Sequence, residues 1–132
     1  MLEIDHCHGA AYSERGTLLV TLGRVAEAIA DYRQALKYAP TAPSLHHNLG
    51  VVLIGMGQAD DALRHLEQAV ELNPRSAEFQ YSLGALLMDR RQFAGAIFHL
   101  AEAVELNPGW KEAADRLQRA RKAIPERGPP VD

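Results

Sequence analysis

The chain has 132 residues, 47% of them hydrophobic, which is enough for a buried core and too apolar for general disorder. Fourteen basic against seventeen acidic side chains leave a net charge of −3, which argues against sequence-blind nucleic-acid binding and against a membrane-surface role, because both draw their affinity from cations. The lone cysteine, Cys7, excludes an internal disulfide and a four-thiolate zinc site, so packing alone must hold the fold.

Apolar residues recur at three- and four-residue intervals, the period of one helical face, and turn residues interrupt them regularly. In chain order, the pattern predicts helices over about Gly9 to Leu22, Val25 to Ala39, Pro43 to Met56, Ala59 to Leu72, Ala77 to Arg90 and Phe93 to Leu106. Gly23 and Gly57 mark turns within pairs, and Pro40, Pro74 and Pro108 end the second helix of each pair, since proline has no amide hydrogen to give the preceding turn. After Pro108, Trp110, Ala113, Ala114, Leu117, Ala120 and Ile124 form one stripe, opposite Lys111, Glu112, Asp115, Arg116, Arg119 and Lys122. That pattern predicts a capping helix from about Lys111 to Ala123, docked on the third pair through Trp110 and Leu117. Residues 110–132 carry 6 basic and 4 acidic side chains, a mild excess that reads as a solvated face.

The pairs repeat with a period of 34. Gly16, Gly50 and Gly84 share that spacing, as do Ala28, Ala62 and Ala96, then Ala35, Ala69 and Ala103, then Pro40, Pro74 and Pro108. Gly50 and Gly84 lie inside helical patterns, where glycine costs about 1 kcal/mol relative to alanine. Their repetition therefore predicts a close helix crossing, with Gly50 against Ala62 and with Leu45, Leu49, Val52, Leu53, Leu63, Leu66 and Val70 filling the space around it. Slid by 34, Leu2 to His6 match Leu36 to Pro40 and Val70 to Pro74, so residues 1–8 read as an N-terminal extension or the last turn of a preceding repeat, whether cut from a longer array or kept as a vestige.

The register of Leu49, Gly50, Leu53, Gly57, Ala62, Leu66, Ala69 and Pro74 resembles the tetratricopeptide repeat. The resemblance implies an all-α, right-handed superhelical solenoid of three hairpins, over residues 9–42, 43–76 and 77–110, plus a capping helix over 111–124 and a flexible tail over 125–132. Two positions depart from the pattern: Arg15 stands where Leu49 and Leu83 stand, and Arg91 replaces the turn glycine.

No catalytic signature is present: the chain has no phosphate-binding glycine loop, no serine elbow and no CxxC pair. His6, Cys7 and His8 are sequence neighbours that do not readily converge on one ion, and no second cluster completes a metal sphere. His46 should help pack its hairpin, while His65 and His99 repeat at 34 residues and read as structural. No enzyme activity, cofactor or metal is expected. No apolar run reaches the roughly 18 residues a bilayer span requires, and the first nine residues lack a hydrophobic leader, so a cytoplasmic protein without membrane insertion is expected.

A protein or peptide partner is expected instead. On the first helix of each pair, residues at i, i+4 and i+7 form a stripe opposite the core: Ser13, Thr17 and Val20; His47, Val51 and Ile54; Tyr81, Ala85 and Met88. The family resemblance implies that this stripe lines a concave groove, with Asn48 and Asp89 beside His47 at its rim; the other reading is lateral packing between neighbouring first helices. Val51, Ile54, Tyr81 and Met88 are the apolar anchors of the groove reading. Family members that clamp a C-terminal carboxylate use lysine, asparagine and arginine at positions held here by Ser13, Thr17, Asn48, Glu78 and Ser82, of which only Asn48 fits. The alternative function is assembly, with self-association through the N-terminal end of the array.

Overall fold

A computed structural model describes residues 2–124, with side chains from His8 onward. The expected tail, residues 125–132, and the side chains of His6 and Cys7 lie outside the described residues. Among the described residues all regular structure is helical: α1 Leu2–Thr21, α2 Val25–Tyr38, α3 Pro43–Gly55, α4 Ala59–Leu72, α5 Ala77–Asp89, α6 Phe93–Leu106 and α7 Lys111–Ala123. No helix of the described residues is long and apolar enough to cross a membrane. The chain forms two compact units, Met1–Pro74 and Arg75–Asp132.

In the first unit α1 packs on α2, α3 on α4, and α2 on α3. The crossings lie at the glycines that repeat every 34 residues. A Cβ on Gly50 would sit 2.9 Å from Cγ of Leu66 and 3.3 Å from the carbonyl of Ala62, and one on Gly16 would sit 3.0 Å from the Tyr32 ring. Leu49, Leu53, Ala62 and Leu66 are wholly buried around the second crossing. Each such leucine contributes roughly 1.5–3 kcal/mol of transfer free energy.

The first helix differs from its predicted span, because it begins at Leu2 and runs through Gly9 without a break. Gly9 is not a helix start but a further packing glycine: its missing Cβ would lie 3.0 Å from Cβ of Tyr38 on α2.

In the second unit α5 packs on α6, and α7 packs on both. The same crossing recurs, with a Cβ on Gly84 only 2.8 Å from Cγ of Leu100 and 3.1 Å from its backbone nitrogen. The hydroxyl of Ser76 caps α5 by accepting from the amide of Phe79 at 3.2 Å. Ala113, Leu117 and Ala120 form the buried face of α7.

All three within-pair turns share one backbone design. Gly57 donates to the carbonyl of Ile54 and Gln58 to that of Leu53, and the same two bonds recur as Gly23 to Val20 with Arg24 to Leu19, and as Arg91 to Met88 with Gln92 to Leu87. This is the Schellman closure, which places one residue in the left-handed region. Gly23 at φ +80° and Gly57 at φ +78° take that conformation without a Cβ penalty. Arg91 takes it at φ +63° with a side chain.

Candidate functional site

The first helix of each hairpin sets one face against its partner and turns residues at i, i+4 and i+7 away from the crossing. On α1 the stripe is largely engaged: Ser13 and Val20 are half-buried, and the Thr17 hydroxyl hydrogen-bonds the Tyr32 hydroxyl at 2.9 Å while reaching the Ser13 carbonyl at 3.2 Å. On α3 the stripe divides. Val51 and Ile54 retain 44% and 37% of their surface, Asn48 is half-buried, and His47, expected at a polar rim, is buried.

In the second unit Ala85 and Met88 are half-buried and Asp89 and Glu78 are exposed. Tyr81 is in contact within the unit: its ring lies 4.5 Å from that of Trp110, tilted by 35°, and the Arg116 guanidinium sits 5.7 Å from the Tyr81 centroid. Trp110 therefore docks the capping helix onto the third hairpin, as the sequence suggested, and the residue it docks on is Tyr81 of the stripe.

A second set of polar residues emerges at one register. Residues 46 and 65, and residues 80 and 99, each join a first helix to its second, 19 residues apart, and in the first hairpin Arg15 and Asp31, 16 apart, do the same. In the second hairpin His46 Nδ1 lies 3.1 Å from His65 Nδ1, and His46 Nε2 lies 2.8 Å from the Pro40 carbonyl. In the third, His99 Nδ1 lies 2.8 Å from Oε1 of the buried Gln80. In the first, the acceptor is Asp31, held by both Nε and Nη2 of Arg15 at 2.7 and 2.8 Å. The Arg15 hydrogen bonds hold the Asp31 carboxyl below its ordinary value. Beside this pair, His8, Ala11, Tyr12, Arg15 and Tyr38 line an open cavity of about 350 Å³. The sequence marked His46, His65 and His99 as structural but not their partners, because His46 and Gln80 share no chemistry that repeats.

No group of three or more His, Cys, Asp or Glu able to hold a metal ion occurs among the described residues. What these residues offer is a polar contact within each hairpin and an exposed apolar pair on α3.

Such a molecule is a helical-repeat protein whose hairpins present side chains outward on a fixed spacing, and the class serves protein interaction. The tetratricopeptide repeat model matches residues 19–86 and 53–121, and the chain belongs to that family. No curated protein sequence matches it. Among solved structures it is similar to the first such domain of Spaghetti (RPAP3) bound to the HSP90 peptide SRMEEVD, with a TM-score of 0.85 at 22% identity over 90% of this chain and 94% of that one. It is also similar to MamA, with a TM-score of 0.84 at 27% identity over 89% of this chain, which spans 64% of that protein's chain. The Sgt2 domain from Aspergillus fumigatus gives 0.81 at 23% identity, covering 94% and 86% of the two chains. These likenesses establish an all-α helical-repeat fold of the solenoid class.

Proposed function

We propose that the chain is a non-catalytic interaction module that holds a peptide segment on the outward stripe of α3, with Val51 and Ile54 as apolar anchors. The observation that carries this reading is their exposure: two β-branched side chains one turn apart stay open to water on a helix whose other face is wholly buried. Asn48 stands one turn before them and supplies a group able to hydrogen-bond a peptide backbone. In the second unit, taken by itself, Asp89 and Glu78 are exposed on α5 and favour a partner with Lys or Arg. The peptide in the Spaghetti structure ends in Glu-Glu-Val-Asp, an acidic chemistry that this chain does not favour: Ser13, Thr17, Glu78 and Ser82 offer no cation where the family's carboxylate clamps have one.

The test is a peptide array graded in apolar and basic content, probed with the parent and with a Val51→Glu, Ile54→Glu double variant. Losing even one buried aliphatic anchor removes roughly 1.5–3 kcal/mol, so affinity should fall at least about tenfold with helicity unchanged. Unaltered binding by a folded variant would move the surface elsewhere. A second reading, assembly, draws on Leu18 of α1 and Leu22 of the turn after it, which expose 57% and 61% of their surface. Light scattering over a concentration series separates the two, since assembly alone makes mass rise with concentration.

A further inference from the structure

The second and third hairpins carry histidines at the same register, and their partners differ in what they tolerate. A backbone carbonyl only accepts, so the 2.8 Å contact to Pro40 requires the proton of neutral His46 to sit on Nε2. Its Nδ1 is then a bare lone pair, and the 3.1 Å contact requires His65 to carry its proton on Nδ1. The two rings, 5.3 Å apart and inclined by 27°, are locked in opposite tautomers.

We infer that the His46–His65 contact is a proton-limited latch between α3 and α4, which accepts one extra proton and excludes a second, so that acid loosens the second hairpin by a route the third lacks. A first added proton goes to the free Nε2 of His65 and leaves the Nδ1–H···Nδ1 bond intact. The second has only Nδ1 of His46 to occupy, which sets two N–H groups head to head and two positive charges on adjoining rings. In the third hairpin Gln80 Oε1 accepts from His99 whether that ring is neutral or charged.

The surroundings act in the same direction. His65 faces His46 from α3, Arg33 from α2, and Arg64 and Asp61 on its own helix. Of these only Asp61 favours the cation, and Asp61 is already ion-paired to Arg64. Burial first, then His46 and the two arginines, holds His65 below its ordinary value. His99 is also lowered by burial, against which Glu102 acts, so it serves as the internal reference. A folded state that refuses protons binds fewer than the unfolded chain. Stability is thus complete above the ordinary histidine value of about 6.5 and falls as pH drops below it, by up to about tenfold in the folding constant per pH unit for each proton refused. Because α3 also presents Val51 and Ile54, the latch would tie peptide holding to pH; that consequence alone rests on the groove reading.

Long-range proton–nitrogen spectra of the full chain, recorded without peptide, test the latch apart from the groove. The expected result at about pH 7.5 is an Nε2–H tautomer for His46 and an Nδ1–H tautomer for His65, followed on acidification by a coupled two-step titration whose second step lies below that of His99. Nε2–H on both rings, or two independent titrations, would overturn it. His46→Gln, which copies Gln80, should lose less of its denaturation midpoint than the parent between about pH 7.5 and pH 5; equal losses would also overturn it, and if that variant does not fold the parent's spectra decide.

Discussion

Glycine at position 91 should give a more stable protein than alanine there, although it adds a flexible residue. Arg91 closes the α5–α6 turn at φ +63°, a position that Gly23 and Gly57 fill in the other hairpins. A left-handed backbone costs an L residue roughly 1–2 kcal/mol, whereas glycine's greater freedom in the unfolded chain costs roughly 0.5–1 kcal/mol. The Arg91 guanidinium lies 5.6 Å from the Phe93 ring, an exposed contact worth about 0.5 kcal/mol that any truncation loses. Arg91→Ala controls for that loss, so Arg91→Gly measured against Arg91→Ala isolates the backbone, and glycine should be the more stable by about 0.5–1 kcal/mol. For a chain of this length that is a rise of about 2–4 °C in the thermal midpoint, followed by far-ultraviolet circular dichroism and checked by guanidinium denaturation. An alanine variant as stable as the glycine variant would show that the turn relaxes out of the left-handed region at little cost, and the argument from φ would fail.

The other glycines supply a contrast of sign. A Cβ on Gly55 meets nothing within 4 Å, so Gly55→Ala should raise the denaturation midpoint by up to about 1 kcal/mol in stability, whereas Gly84→Leu forces a branched side chain against Leu100 and should lower stability by about 1–3 kcal/mol. Asp31→Asn should destabilise the first hairpin at neutral pH, and the gap from the parent should close on acidification: the Arg15 bonds depress the folded carboxyl below its ordinary 3.8, so their contribution is present above that value and lost below it. Denaturation of both proteins across a pH series checks this, and a gap that persists in strong acid would show that the packing of Asp31, not its charge, is what the hairpin uses.

Much of the fold was legible because a repeat states each constraint three times. Gly16, Gly50 and Gly84 mark the crossings, and the stripe of Leu117 and its neighbours marks the cap. The starting point of α1 was not legible, since Leu2 to Asp5 fits the last turn of a second helix and the interior of a first helix equally well, and only the packing of Gly9 under Tyr38 decides between them. Tyr81 carries the right spacing for a free surface residue, but spacing within one helix is silent about which residue a later helix covers, and Trp110 covers this one. The polar pairs were hidden for a third reason. A hydrogen bond requires complementary atoms and not repeated residues, so His46 and Gln80 can serve one position without resembling one another.

In a repeat fold the backbone is held nearly constant, so differences between equivalent positions record what each hairpin does apart from folding. The register of residues 15, 49 and 83 holds an arginine whose side chain is 63% exposed, then two buried leucines, which separates the first hairpin from the other two. At residues 17, 51 and 85, and again at 20, 54 and 88, only the second hairpin exposes both side chains, and both are β-branched and apolar. The same hairpin holds the two histidines that lock one another's tautomer across α3 and α4. The face proposed to hold a peptide and the contact proposed to sense acid therefore share one helix.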